Sequence, residues 1–370
     1  MSDTSNRTLL AVEPEPNGKL MQQALSNSGM DLVLAWDAYD LNELLNTKTF
    51  SVAVISSEVL DGSWTSVAHT VRNTPQADDA KILLVMEQGD GGNLDEADKS
   101  LVDVVMPSPF SIGSFVEVMS QFQAAKSEKE WLKLNKNQQK LLRVTKSLFG
   151  KHFSAEGSNE VLSKDVMRES GQAIAAATQS GEIWDILETL KNHDSYTFVH
   201  ALKVSSFMTL FGVMLGLKDD DLQLLSQAGL FHDVGKRETP VDVLNFPGKL
   251  DAEAWKVMQE HPGISEQILA DSFDVPKEIV QVAGRHHEKM DGSGYPRGLK
   301  GSEIDDLSAI CAIADVYSGL TDKRSYKPPF TVEKTLEIMG SMSGGHLEPH
   351  FLDRFLKMIM DRERSGQKTV

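Results

Sequence analysis

The chain changes its secondary-structure pattern near residue 125, and this switch constrains the fold more than any single motif. Before it, short apolar runs of strand length are separated by helical patterns. Thr8–Val12, Phe50–Ile55, Lys81–Met86 and Val102–Met106 read as buried strands, and Gly18–Gly29 reads as a helix. Buried strands separated by helices imply βαβ units and a parallel sheet, because parallel pairing needs a long crossover. Beyond residue 160 strand signals are absent. Helical patterns fill 191–216, 219–231, 252–261, 275–288, 303–320 and 331–340, so this half is expected to be an all-α bundle. With 370 residues the chain exceeds one ordinary domain, and we divide it into an α/β domain (1–125), a helical linker (126–158) and an all-α domain (159–370).

The linker carries Leu134, Leu141 and Leu148 at seven-residue intervals, with Trp131, Gln138 and Thr145 between them. A helix of this kind suits pairing with its copy in a homodimer, and an amphipathic linker packing on either domain gives the same pattern.

Composition narrows the setting. The net charge of −17 argues against non-specific nucleic-acid binding, so an anionic substrate needs a local pocket of positive charge. The single cysteine, Cys311, excludes an internal disulfide framework and fits a reducing cytoplasm. The sequence has no unbroken apolar run of membrane-spanning length, and Met1–Arg7 lacks a basic region followed by an apolar core. Neither a membrane span nor a signal peptide is therefore expected.

Chemistry-bearing residues concentrate in the helical half. His232-Asp233 is followed three residues later by Lys236. His261 precedes Pro262, His286-His287 precede Glu288, Asp315 lies in an apolar run, and His200 lies upstream. A neutral imidazole beside a carboxylate suits a divalent metal, and the second carboxylate oxygen can reach another. Adjacent histidines on a helix point about 100° apart, so His286 and His287 can share a metal at a helix end. Mixed imidazole and carboxylate ligands favour iron, manganese or zinc over magnesium or calcium. His69, His152, His193, His346 and His350 fall outside these motifs and are set aside.

In this order, His200, His232-Asp233-Val234-Gly235-Lys236, His261-Pro262, His286-His287-Glu288, Asp291-Gly292-Ser293-Gly294-Tyr295-Pro296 and Ala314-Asp315-Val316-Tyr317 resemble the HD-GYP family of HD-domain metal-dependent phosphohydrolases, over about residues 160–360. The resemblance implies a cyclic di-GMP phosphodiesterase yielding linear pGpG and then GMP. It implies two divalent metal ions, with iron or manganese expected. His200, His232, Asp233 and Asp315 would hold one, and Asp233, His261, His286 and His287 the other, with Asp233 as the bridge. A metal-bridging hydroxide would attack phosphorus, and Lys236 would bind a phosphate oxygen or assist proton transfer. Arg324 and Lys327 match phosphate-binding positions, and Tyr295 belongs to the loop that shapes the substrate cleft. The same ligands suit another cyclic dinucleotide such as cyclic GMP-AMP, and a sensor that binds without turnover is the reading from another class.

Two departures refine this picture. One branch of the family has a metal-binding Glu four residues before the first His. Tyr196 stands there, and a phenol of pKa about 10 is a poor ligand at neutral pH, which predicts two metals and not three. The family also carries an Asp three residues after the last ligand Asp, and here that residue is Ser318. Upstream, the βα rhythm and Pro109-Phe110 resemble a response-regulator receiver domain. Its chemistry is missing: Pro14 splits Glu13 from Glu15, Ser56-Ser57 replace the phospho-accepting Asp, and Ser108 replaces the Lys. A degenerate receiver implies a role in dimerisation or partner binding.

Overall fold

A computed structural model describes residues 7–11, 18–27, 31–58, 63–86, 94–152, 164–190, 196–246, 248–272, 274–322 and 329–365. The chain divides into two compact units, one built on residues up to Gln123 and the other on the chain from Ala124, apart from two short segments at 245–249 and 324–328.

In the first unit, β1 (Arg7–Ala11), β2 (Asp31–Ala35), β3 (Val52–Ser56), β4 (Lys81–Met86) and β5 (Val104–Pro107) form one parallel sheet in the order β2-β1-β3-β4-β5. Helices α1 (Lys19–Asn27), α2 (Ala38–Thr47), α3 (Trp64–Asn73), α4 (Glu96–Leu101) and α5 (Ile112–Ser127) complete it. Every residue of β3 is buried, as a strand covered on both faces requires. Alternate strand residues feed two apolar layers. Leu9, Ala53, Ile55, Ile82 and Leu84 pack with Leu41 and Leu45 of α2 and Val67 and Val71 of α3. Leu10, Val52, Val54, Leu83 and Val85 pack with Met21 and Leu25 of α1 and Phe115 and Met119 of α5. This is the flavodoxin-like doubly wound order.

The sequence reading had no strand at β2. That strand is a sheet edge whose first four residues are partly or well exposed, so it lacks the continuous buried run of β3. Ser56 ends β3 and Ser108 follows β5, whereas Glu13 and Glu15 lie outside the described residues.

The second unit is helical: α6 (Lys136–His152), α7 (Lys164–Gln179), α8 (Ile183–Leu190), α9 (Tyr196–Met214), α10 (Asp219–Phe231), α11 (Val241–Leu244), α12 (Ala252–Met258), α13 (His261–Ala270), α14 (Lys277–Arg285), α15 (Asp306–Thr321), α16 (Val332–Ser341) and α17 (Pro349–Arg364). The pattern read as one helix over 252–261 is two, because α12 ends at Met258 and α13 opens at His261 with Pro262 in its first turn. The central helix α9 is apolar on nearly all sides and packs against α7, α10 and α15. Its window Thr197–Met214 is long and apolar enough by composition to cross a membrane, yet 78% of it is buried in this helical core.

The heptad face of the linker is also used within the chain. Trp131, Leu141 and Leu148 join the helical core, and Gln138 and Thr145 are buried. The Trp131 and Phe149 rings lie 6.3 and 5.6 Å from that of Phe198 on α9. The seam that a paired coiled coil would present to its copy is therefore covered by α9 and its neighbours.

Candidate metal centre

Helix ends and close helix approaches converge on one point. His200 lies within α9 and Asp315 within α15. His232-Asp233 fall in the turn between α10 and a 3₁₀ helix at Val234–Glu238, His261 opens α13, and His286-His287 leave the C-terminus of α14. Two glycines permit the approach. A Cβ on Gly229 would lie 2.6 Å from the Ser205 backbone on α9, and one on Gly235 would lie 2.3 Å from the His261 carbonyl. Only glycine brings the His-Asp turn this close to both neighbours.

The Asp233 carboxylate, 1% exposed, sits between two groups of ligand atoms. Its Oδ2 faces His232 Nε2 at 3.1 Å and His200 Nε2 at 3.8 Å. Its Oδ1 faces His261 Nε2 at 3.1 Å and His286 Nε2 at 3.5 Å. Asp315 lies 3.0 Å from His200 Nε2 and 3.8 Å from His287 Nδ1. The clusters within metal-ligand reach are Asp233, His261, His286 and His287 on one side, and His200, His232 and Asp315 on the other. All seven sequence-predicted ligands are thus together. Lys236 Nζ approaches Asp233 Oδ2 at 2.5 Å.

The ring tautomers follow from their partners. His232 Nδ1 faces the Gly229 carbonyl at 2.7 Å, His261 Nδ1 that of Met258 at 2.7 Å, and His286 Nδ1 that of Ala283 at 2.9 Å. A carbonyl only accepts, so each Nδ1 donates, and each neutral ring turns an Nε2 lone pair toward Asp233. His261 and His286 Nε2 also face each other at 3.4 Å. Lone pairs meeting lone pairs and a carboxylate repel unless a proton or a cation lies between them.

Protons are disfavoured at several of these rings. Burial pulls His261 down to about 4, overriding the pull of Asp233. Burial likewise lowers His232, and burial with the neighbouring His286 holds His287 well below the ordinary imidazole value. Both carboxylates stay ionised: burial opposes this, but the Lys236 ammonium outweighs it at Asp233, as His200 does at Asp315. His232 Nε2 and Asp233 Oδ1 are buried with no hydrogen-bond partner among the described residues. Neutral imidazoles aimed at ionised carboxylates are the donor set of divalent transition metals, so the residues fit such ions.

The sequence profile of the HD domain family matches residues 185–351. These residues form an HD domain. The chain is 36% identical over 179 residues to a 3'3'-cGAMP-specific phosphodiesterase of Vibrio cholerae, covering 47% of this chain and 34% of that protein. It is 34% identical over 173 residues to a cyclic di-GMP phosphodiesterase of Pseudomonas aeruginosa, covering 47% and 42%. The chain thus spans less than half the length of these curated relatives. A solved HD-GYP-type protein of Bdellovibrio bacteriovorus superposes with a TM-score of 0.48 at 18% identity, covering 60% of this chain and 70% of that one.

Beside its ligand cluster the HD domain holds the loop 288–301. Glu288, 3% exposed, accepts the backbone N–H groups of Arg297 and Leu299 at 2.7 and 2.9 Å and closes the loop upon itself. Gly292 and Gly298 take φ of 84° and 67°, which favour glycine. Tyr295 is held over the centre, its ring 4.8 Å from that of His287 and 6.5 Å from that of His261. Arg324 and Lys327 lie outside the described residues.

Three residues of the HD domain escaped the sequence reading. Trp255, 46% exposed, sets its ring 6.0 Å from that of Tyr295. Asp322 Oδ2 lies 2.9 Å from His200 Nδ1, and Asp322 Oδ1 accepts from Lys203 Nζ at 2.7 Å, with both partners buried. Asp315 and Asp322, on opposite ring nitrogens, outweigh the burial of His200 and raise it to about 9. The available signal was Lys203 itself, a cation three residues after His200 in an otherwise apolar helix.

Proposed function

We propose that this chain is a metal-dependent phosphodiesterase that hydrolyses cyclic di-GMP to linear pGpG and onward to GMP. One observation carries the reading: the two oxygens of Asp233 face two separate histidine groups, as a carboxylate bridging two cations requires. The similarity of the HD domain to proteins named for cyclic dinucleotide hydrolysis supports the substrate class.

Two bound divalent ions, iron or manganese, would supply Lewis acidity and an activated water. His200, His232 and Asp315 would hold one, His261, His286 and His287 the other, with Asp233 shared. Lys236, 13% exposed in its side chain beside Asp233, presents its ammonium to a phosphate oxygen. Tyr295 and Trp255 form an aromatic wall next to the ligand cluster, and an exposed indole there suits stacking of a guanine base. Arg324 and Lys327, which match phosphate-binding positions of the family, would add positive charge for the substrate. The first unit, with Ser56 and Ser108 where receiver chemistry needs Asp and Lys, acts as a non-phosphorylated receiver-like module in a homodimer or with a signalling partner.

The test is to load the protein with Fe(II) or Mn(II), supply cyclic di-GMP and resolve the products. Turnover to pGpG is expected, and Asp233→Ala is expected to abolish it. No turnover with any divalent ion would sink the reading. The second reading, 3'3'-cGAMP as substrate, is favoured by the similarity to an enzyme named for that specificity. Competition between the two dinucleotides separates them.

A further inference from the structure

We propose that Asp322 is the positioning residue of His200, supplying one helical turn later the carboxylate that position 318 lacks. The inference rests on the two-cation reading above. Three of the cluster's rings anchor Nδ1 on a backbone carbonyl three residues earlier. They can do so because His232 and His286 cap the ends of α10 and α14, and His261 follows the end of α12. The last carbonyls of a helix have no amide partner within it and are free to accept. His200 is placed differently. It lies inside α9, where the carbonyls before it are engaged by amides four residues on. Its Nδ1 turns instead to a side-chain acceptor, Asp322 Oδ2, at 2.9 Å.

The arrangement is built for this purpose. Asp322 is 5% exposed and Lys203 2%, and the 2.7 Å contact between them leaves neither charge isolated. Lys203 lies one turn from His200 on the same face of α9, so one helix presents both groups to one carboxylate. On α15 and its C-cap, Asp315, Ser318 and Asp322 are spaced three and four residues apart and share a face. Ser318, where the family resemblance leads one to expect an aspartate, is fully buried, and its hydroxyl has no hydrogen-bond partner among the described residues. With Nδ1–H fixed on Asp322, the ring keeps Nε2 turned toward Asp315 and Asp233.

The test is Mn(II) binding to the full chain, read from the EPR signal of the free ion. Asp322→Ala is expected to weaken the affinity of the His200 side of the centre about 10–100-fold. Adding Ser318→Asp to that variant is expected to restore most of the loss, a recovery that a merely structural role would not give. Should Asp322→Ala fold poorly with Lys203 left without its partner, Lys203→Met with Asp322→Leu removes both charges and the acceptor and is expected to show at least tenfold weaker binding. Affinity within about threefold of the wild type in these variants would overturn the inference, as would failure of Ser318→Asp to recover it. If the wild-type chain binds neither Mn(II) nor Fe(II), the two-cation reading falls as well.

Discussion

Gly235→Ala is the sharpest single perturbation of the scaffold. A Cβ at that position would lie 2.3 Å from the His261 carbonyl oxygen and 2.5 Å from the Ser265 amide. Both are backbone atoms and cannot swing aside. An unstrained carbon–oxygen contact is about 3.3 Å, so relief requires about 1 Å of separation between the 3₁₀ turn and α13. That displacement carries Asp233 and Lys236 away from His261 and stretches the 3.1 Å Nε2–Oδ1 approach to about 4 Å, while metal–ligand distances hold only to about 0.2 Å. It also strains the 2.7 Å bond from the Gly235 amide to Ser265 Oγ. Overpacking of this kind costs about 1–3 kcal/mol, which lowers Tm by about 2–12 °C in a domain of this size. Metal affinity should fall at least about tenfold. Calorimetric melting with and without a chelator, together with competitive metal titration, measures both effects. Gly340→Ala near the end of α16, where a Cβ meets nothing within 4 Å, is the control and should leave both quantities unchanged or slightly improved. Wild-type metal affinity in Gly235→Ala would refute the claim that this glycine sets the His261–Asp233 spacing.

Other consequences follow from the same geometry. Trp255→Ala should raise KM for the cyclic dinucleotide about 5–150-fold with kcat little changed, the loss expected from removing one stacked base of about 1–3 kcal/mol; unchanged KM would remove Trp255 from the substrate wall. Metal-stripped protein should be most stable near pH 6.5. His200, raised to about 9, holds a proton that the unfolded chain releases, so its contribution is complete below pH 6.5 and lost as pH rises through 9. His261, lowered to about 4, contributes above pH 6.5 and loses that contribution as pH falls toward 4. Bound metal should erase the alkaline decline, because a ligated Nε2 carries no proton. A flat Tm from pH 6.5 to 9 in stripped protein would contradict this.

The clustering of the seven residues was legible because their identity and order resemble the HD-GYP motifs, whereas the helix-end carbonyls that hold His232, His261 and His286 were not. Asp322 and Lys203 were not legible as a pair. They are 119 residues apart, and no local pattern reports a contact between α9 and the end of α15. α9 hides its functional face for a related reason: it is buried nearly all round, so hydrophobic periodicity does not single out the side bearing His200. The parallel sheet was readable from β3 and β4, which are apolar apart from the terminal Ser56 and Lys81, and the partly exposed edge strand β2 was not. The linker shows the ambiguity of a heptad. Its spacing suits a partner helix of either origin, and here Phe198 of the same chain meets it.

The most direct test of the two-cation account is cyclic di-GMP turnover measured against bound metal per chain in anaerobically prepared protein. Turnover is expected to be negligible up to one equivalent and to rise steeply as the second binds. Full turnover at one equivalent per chain would contradict it.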